Sequence, residues 1–527
     1  MERQTRFQTR ANSPIRTAAL VSIALVAFAV IFQGQDANWD LRNYHLYNAI
    51  AWIDGRMLTD VAPAQLQSWH NPTLDIPMAM AVRAGAPGWL VSIWLGAFSA
   101  IALFFGLRLL DLLWPDRVSW QRSLAAGIVA ISGAGLWSVT ATTLNDAPVA
   151  AAVLAALWWM ATSLGRRGAF ATWLPVGAMV GLVVGLKLTA AIYAVGFIAA
   201  ACVAGSVRGL PARIVALGIG GVTMTVITAG PWMWQLWSLY ENPLFPYFNH
   251  WFHSQYALPQ AWNDTRFLPQ NFGDALLAPL KLLRNSKHFS EVNLADPRLF
   301  LGWMALIATA VATWRASQGG VGEQGHGRRL LTPVLVFCAV SYAVWVFGYS
   351  IYRYALPLEL LFSLFIVGFV SALPTTRKRW LITLAVCALV MIAGTNRPSW
   401  WRQKFASPMI SVEFPDLPPD SLVLIDTNEP IGHAAAFLPV SISAVAIGNS
   451  FIQPTACTKL QLKVLSAIEQ QSGAIYLLQP TGTDPASGHL ARYGLERRGA
   501  CLPVADSLMP VELCPVAKAG PLVSACH

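Results

Sequence analysis

The chain has 527 residues, 55% of them hydrophobic and only 12% charged, and its formal net charge is +10. A mean hydropathy of +0.49 excludes a soluble globular protein, which would have to expose far more charge, and indicates an integral membrane protein. The basic residues concentrate at the ends of apolar segments, so membrane orientation explains the positive charge better than a nucleic-acid partner does.

Eleven apolar stretches run along the chain, and most are about long enough to cross a hydrocarbon core of about 30 Å. They predict a mainly α fold, a polytopic transmembrane helical bundle with about 11 spans. The first stretch follows an arginine-rich leader without a convincing cleavage site, so we expect an uncleaved signal anchor. The stretches are 16–33, 88–112, 123–141, 147–164, 170–186, 188–205, 213–236, 298–314, 330–349, 355–373 and 380–396.

Arginine and lysine fall mainly in alternate gaps between these stretches, for example at Arg166 and Arg167. Positively charged loops stay in the cytoplasm, so the pattern predicts a cytoplasmic N-terminus. The other gaps, the 237–297 loop and the C-terminal part then face outward, on the opposite side of the membrane from the cytoplasm.

Four regions follow from this division. We expect a cytoplasmic leader and first span (1–33), an outward loop (34–87), the remaining bundle (88–396) and an outward soluble domain (397–527).

The last region alternates strand-like and helix-like patterns. Strands are predicted at 422–425, 444–447 and 474–478, and an amphipathic helix at 459–470, which together make a small α/β domain. Its four cysteines permit two disulfides of open connectivity in an oxidising compartment. No metal-ligand spacing such as C-x-x-C occurs, so no metal site is predicted. The four cysteines are Cys457, Cys501, Cys514 and Cys526.

The loop after the first span predicts an amphipathic helix over 38–50. At about 100° per residue, one face carries acids and tyrosines, and the opposite face is apolar. Such a helix could lie on the membrane surface with its carboxylates turned toward water or a cavity, where one could act as general base for an acceptor hydroxyl. The alternative is a solvated helix whose aspartates only favour its dipole. The polar face holds Asp36, Asp40, Tyr44 and Tyr47, and the apolar face Leu46, Ile50, Ile53 and Met57.

The segment Asn145-Asp146-Ala147-Pro148 begins the fourth stretch after a very short outward turn. Asp146 can be explained as the cap of a helix with proline in its first turn. Capping and function can coexist, so Asp146 also stays a candidate binding residue.

Two cations have unusual positions at the outward ends of apolar stretches. Lys187 has apolar sequence on both sides, and either extends to the interface or binds a phosphate as a point charge. Arg353, beside Tyr354, either pairs with Glu359 or Asp146 or binds an anionic headgroup.

This layout resembles the GT-C superfamily of membrane glycosyltransferases that use polyprenyl-phosphate sugars, and within it bacterial members related to the protein O-mannosyltransferase and aminoarabinose-transferase group. The resemblance implies that the chain lies in a bacterial inner membrane and that its outward loops and C-terminal domain are periplasmic. An outward soluble domain after the spans belongs to the resemblance. Many relatives have adjacent acidic residues in the first loop, whereas Asp36 and Asp40 are four apart. The motifs that carry the likeness are Asp40 after the first span, Asn145-Asp146-Ala147-Pro148, Gly185-Leu186-Lys187-Leu188-Thr189 and Tyr352-Arg353-Tyr354.

The resemblance implies roles for these residues. Asp40 would be the catalytic base, with Asp36 and Asp75 as reserves. Lys187 and Arg353 would bind the lipid phosphate. Three further residues, with Asp146, complete the expected substrate-binding set: Tyr44, Asn145 and Tyr354.

The sequence thus predicts a glycosyltransferase that moves a sugar from a polyprenyl-phosphate carrier to a glycan, lipid or protein acceptor. Need for a divalent cation is left open. A transporter or flippase is one alternative, but it would have charges near the bilayer midplane and an inverted repeat. An O-antigen ligase or polymerase and a non-catalytic assembly subunit are the others.

Overall fold

The computed structural model describes residues 2–318, 325–484 and 488–520, and the chain is mainly helical with a mixed sheet near its C-terminus. The helices are α1 (Glu2–Gln33), α2 (Leu46–Ile53), α3 (Ile76–Arg83), α4 (Gly88–Leu113), α5 (Trp120–Ile131), α6 (Ala134–Val139), α7 (Asp146–Ser163), α8 (Ala169–Leu186), α9 (Ala191–Val203), α10 (Leu210–Tyr240), α11 (Asn249–Phe252), α12 (Phe272–Leu276), α13 (Ala278–Lys281), α14 (Arg298–Gln318), α15 (Gly325–Gly348), α16 (Leu356–Ala372), α17 (Arg377–Ala393), α18 (Gly432–Ala435) and α19 (Lys459–Gln470). The strands are β1 (Gln35–Asp36), β2 (Arg402–Gln403), β3 (Val412–Glu413), β4 (Leu422–Asp426), β5 (Ser443–Gly448), β6 (Ile475–Pro480), β7 (Leu495–Arg497), β8 (Leu502–Asp506) and β9 (Val511–Lys518).

Within the described residues, seven helices are long and apolar enough to cross a membrane, so the predicted multi-pass helical fold is confirmed. The predicted number of about 11 spans is too high by this measure. Leu188–Val203 and Arg298–Ala312 are apolar but shorter. The seven spans are Pro14–Gln33, Gly88–Leu113, Asp146–Ser163, Ala169–Leu186, Val207–Tyr240, Leu330–Gly348 and Tyr352–Ala372.

The stretch predicted as a span over 123–141 is broken into α5 and α6. Backbone groups at such a break need partners, because none is supplied by lipid. Glu359 accepts hydrogen bonds from the amides of Gly135 (2.7 Å) and Leu136 (2.9 Å). Arg298 donates to the carbonyl oxygen of Val129 from Nη2 at 2.6 Å. Fully buried charged side chains therefore satisfy both helix ends.

Contacts divide the chain into two compact units. The first, here called the helical unit, comprises Met1–Gln33, Ile93–Thr228 and Asp264–Ser399. The second, called the sheet unit, comprises Gly34–Ser92, Ala229–Asn263 and Trp400–His527. The four-part division drawn from the sequence stays a prediction.

Small residues let α8 and α10 pack closely within the helical unit. A Cβ atom on Gly177 would overlap the carbonyl oxygen of Leu217, and one on Gly181 would overlap that of Gly221. Thr225 adds a hydrogen bond from Oγ1 to the Gly181 carbonyl at 3.0 Å. Glycines one turn apart thus supply the close contact that membrane helices use in place of a hydrophobic driving force.

The main sheet of the sheet unit has strand order β3-β8-β9-β6-β4-β5, and β7 also pairs with β9. The β4 strand is parallel to β5 and β6, while the β9 pairings are antiparallel. The three predicted strands lie in β4, β5 and β6, and the predicted helix is α19. Leu460, Val464 and Ile468 recur every fourth residue on α19 and are buried. The expected α/β domain is therefore confirmed.

The segment after α2 is anchored to the edge strand β5. Val61 donates to the carbonyl of Ala444 (3.0 Å) and accepts from the amide of Ala446 (2.8 Å). Arg56 Nε lies 3.0 Å from Asp60 Oδ2, and both side chains are buried. Burial raises the pKa of the Asp60 carboxyl, and Arg56 acts against that rise.

The predicted amphipathic helix is wrong in two respects. Asp36 lies in β1, and a π-helical turn (Leu41–His45) precedes α2, so residues after that turn do not keep the α-helical spacing used for the prediction. Tyr47 is also buried, with its hydroxyl donating to Asp60 at 2.9 Å, rather than exposed on a polar face. The segment is largely a buried part of the sheet unit.

Disulfides are present in the C-terminal region, as the cysteine count permitted. Cys501 pairs with Cys514, and Cys457 is also disulfide-bonded. Cys526 lies outside the described residues.

Candidate functional site

The predicted site residues form two groups, one in each unit, and each is described by itself. The group in the helical unit, here called the Asp146 group, contains Asp146, Lys187, Arg353 and Tyr354. That these residues act with those of the sheet unit stays a prediction.

Asp146 is the first residue of α7 and is buried, with 3% of its surface exposed. The N-cap position belongs to Asn145, whose backbone is left-handed with φ 60°. The Asp146 carboxylate instead accepts a hydrogen bond from Lys187 Nζ at 2.5 Å. An ion pair, and not helix capping alone, therefore accounts for this aspartate.

Lys187 directly follows the last residue of α8 and has an extended backbone conformation. A short 3-10 turn, Leu188–Ala190, comes next. Besides Asp146, its Nζ donates to the carbonyl oxygen of Leu144 at 2.8 Å. The ammonium also lies 5.0 Å from the ring centroid of Tyr354, within cation–π range. The side chain keeps 16% of its surface exposed, so it is not sealed in the bundle.

Arg353 is also within cation–π range of Tyr354, with its guanidinium carbon 5.1 Å from the ring centroid. Its ion pairs are long, at 3.9 Å to Asp146 and 3.8 Å to Glu291. Charge-assisted N–H···O bonds are normally about 2.7–2.9 Å. The structure therefore supports Asp146 as a loose partner, but not Glu359, whose carboxylate caps α6.

Two cations on one aromatic ring form a compact, partly exposed basic site. Tyr354 is held in turn by Tyr193, whose hydroxyl donates to its carbonyl oxygen at 2.6 Å. Lysine offers a point charge and arginine a planar fork, and both suit phosphate oxygens.

The group in the sheet unit, here called the Asp40 group, contains Asp40, Tyr44, His45, His70 and Asp75. Asp40 is half-buried, and the Tyr44 hydroxyl donates to its Oδ2 at 3.4 Å. The Tyr44 ring lies 4.1 Å from His45 and 4.9 Å from His70, between centroids. Tyr44 thus contacts the predicted base through its hydroxyl and two imidazole rings through its own ring.

Asp75 holds His45. The two side chains are buried, and His45 Nδ1 lies 2.7 Å from Asp75 Oδ2. A carboxylate at Nδ1 keeps the ring proton on that nitrogen, so Nε2 presents its lone pair. His45 Nε2 is buried and makes no hydrogen bond within the described part of the chain. This arrangement is chemically able to accept a proton.

Asp36 differs from the other two aspartates. It is fully buried in β1, and its carboxylate accepts from the amide (3.1 Å) and the side chain (3.0 Å) of Asn38. These contacts indicate a structural role for Asp36.

Sequence reasoning missed His45 and His70 in the Asp40 group, and Glu291, which lies 3.8 Å from Arg353 beside the Asp146 group. His45 was passed over because its partner is 30 positions away, and His70 because its hydrogen bond, at 2.8 Å, is to the hydroxyl of distant Tyr247. No local spacing marks either pair, and only the fold brings them together.

The chain matches no protein-family model and no curated protein. Among solved structures, it is similar to the archaeal oligosaccharyltransferase AglB from Archaeoglobus fulgidus, determined in complex with an inhibitory peptide and a dolichol-phosphate. The sequence identity is 12% and the TM-score 0.44, over 88% of this chain and 69% of that one. Similarity at this level assigns neither a family nor a role to any residue.

Proposed function

We propose that this protein is an integral membrane glycosyltransferase of the GT-C type, which moves a sugar from a polyprenyl-phosphate carrier to an acceptor on the extracytoplasmic side of the membrane. The observation that carries the proposal is the pair of cations, Lys187 and Arg353, held on Tyr354 where apolar segments end. A lipid phosphate needs partly exposed positive charge at the edge of the apolar layer, and the Asp146 group has it.

The proposed reaction needs one proton acceptor and one anion-stabilising site. The acceptor oxygen attacks the anomeric carbon and forms the new C–O bond, while Asp40 takes the hydroxyl proton. The bond from that carbon to the phosphate oxygen breaks, and its electron pair stays on the phosphate. Lys187 and Arg353 stabilise that charge, and Asp146 positions sugar or acceptor.

The pair of His45 and Asp75 offers a second candidate, besides Asp40, for the group that accepts the proton. Asp75 would be a positioning residue that keeps the His45 ring in one tautomer. A positioned base contributes about 10²–10⁴-fold, so alignment and charge stabilisation supply the larger part of catalysis.

The test is transfer from a labelled polyprenyl-phosphate sugar by the Asp40→Asn variant. We expect kcat to fall about 10²–10⁴-fold with the fold intact, because the proton acceptor is lost while the shape is kept. Asp54→Asn is the matched control, since Asp54 belongs to the same unit and pairs with the exposed Arg83. Normal turnover by Asp40→Asn would overturn its role.

The same assay separates Asp40 from His45. If His45 is the base, His45→Gln abolishes the acidic limb of the kcat/KM pH profile, and Asp75→Asn shifts that limb. If His45 is purely structural, His45→Gln lowers the stability of the protein and leaves the acidic limb of the kcat/KM profile unchanged.

A further inference from the structure

A pocket of about 490 Å³ lies within the sheet unit, and its lining residues include none of the Asp40 group. Its walls are one face of α19 together with Leu58, Thr59, Val61 and Tyr256. That volume falls in the range of small-molecule sites and exceeds what a single inorganic ion fills.

The pocket is basic. Lys459 and Lys463 are one helical turn apart on α19, and their Nζ atoms lie 5.4 Å and 5.5 Å from the ring centroid of Tyr256. Lys463 is also 5.8 Å from the ring centroid of Tyr240. Like charges at this spacing repel each other, yet the aromatic rings hold both ammonium groups at the pocket wall.

Negative charge is missing around these lysines. Of the ion pairs found in residues 2–318, 325–484 and 488–520, none involves Lys459 or Lys463. Burial lowers the pKa of Lys463, and no neighbouring carboxylate offsets that effect. An anionic ligand would supply the missing counter-charge.

The remaining lining suits a sugar. Ser466 and Gln470 add hydroxyl and amide groups and are joined by a hydrogen bond from Gln470 Nε2 to Ser466 Oγ at 2.7 Å. Leu58 and Leu462 are exposed and give apolar surface for the C–H faces of a sugar ring. Hydroxyl partners, apolar edges and two cations together match a small polar body with one anionic group.

We propose that this pocket binds an anionic sugar, a uronic acid or a sugar phosphate, through Lys459 and Lys463. The acid group contacts the two ammonium groups, and the sugar hydroxyls contact Ser466 and Gln470. This goes beyond the transfer reaction, because binding here needs neither the lipid donor nor the Asp40 group.

The experiment measures binding to the full-length protein in lipid nanodiscs by calorimetry, with no lipid donor present. The probes are glucuronate, glucose 6-phosphate, glucose and inorganic phosphate. We expect the two charged sugars to bind more tightly than glucose or inorganic phosphate. Equal affinity for glucose would overturn the role of charge, and equal affinity for inorganic phosphate would overturn the role of the sugar.

Variants locate the site. Lys459→Gln and Lys463→Gln should each weaken binding of the charged sugars by roughly tenfold, the effect of losing one charged hydrogen bond. Lys463→Arg should retain most of the affinity. Lys404→Gln is the control, because Lys404 is exposed in the same unit. Unfolding temperatures establish that each variant is folded, and unchanged affinity in both glutamine variants would overturn the assignment.

Discussion

Lys187 offers the sharpest test of the proposed phosphate site, because two explanations of it predict opposite results. If it binds the donor phosphate, Lys187→Gln removes a charged hydrogen bond worth about 1.5–3 kcal/mol. That loss corresponds to a Kd for sugar-free polyprenyl phosphate raised roughly 10- to 150-fold. If Lys187 only neutralises Asp146, whose Oδ1 lies 2.5 Å from its Nζ, it does not contact the phosphate. Removing both charges together would then leave the phosphate affinity unchanged.

The single variant has a second effect that must be separated. Asp146 is buried, so removing Lys187 leaves a carboxylate without its close ion-pair partner, and we expect a stability loss of about 3–5 kcal/mol. The double variant Asp146→Asn/Lys187→Gln removes both charges and should recover that stability. Thermal unfolding in detergent measures this recovery.

Phosphate binding by the double variant then decides between the two explanations. We expect it to stay weak, because the asparagine and glutamine carry no positive charge. Asp146→Asn alone should bind the phosphate more tightly, since it removes a competing anion beside the ammonium. Lys281→Gln is the control, as Lys281 pairs with Asp274 on the surface of the same unit. Wild-type affinity in the double variant would refute the phosphate site.

Two further predictions concern the scaffold, each measured as the free energy of unfolding in detergent. Arg56→Leu should cost about 3–5 kcal/mol, because it strands the buried Asp60 carboxylate. Arg83→Leu, whose partner Asp54 is near the surface, should cost under about 1 kcal/mol, and equal losses would contradict the reasoning. Gly181→Val should lower the free energy of unfolding by about 1–3 kcal/mol, because the added side chain pushes α8 away from α10. An unchanged unfolding transition would show that the close contact of the two helices does not contribute to stability.

Local sequence patterns were enough to find most elements. Apolar length marked the spans, and alternation and period marked β4, β5, β6 and α19, because burial of one face depends on neighbours close in sequence. The parts that failed depend on distant residues. The sequence around residue 132 does not indicate that Glu359 and Arg298 supply hydrogen bonds at the break between α5 and α6. The sequence around Val61 likewise does not indicate its pairing with β5.

The same limit applied to the site. Asp146, Lys187 and Arg353 were predicted from their place at span ends, which is a local property. The structure brings the three together, and their role in a site stays a prediction. Their arrangement around Tyr354 was not, and neither was the pairing of His45 with Asp75. Asp75, predicted as a reserve base, lies 2.7 Å from His45 Nδ1, a contact that the sequence pattern did not indicate.

The charged residues in or beside the apolar segments fall into two kinds, which differ in their exposure. Glu359 and Arg298 are fully buried and bond to backbone groups at the break between α5 and α6, which gives them a structural role. Lys187 and Arg353 keep 16% of their side-chain surface exposed. Only a group that a ligand can reach can bind one, so accessibility, rather than charge in an apolar segment, makes the second pair the candidates for function.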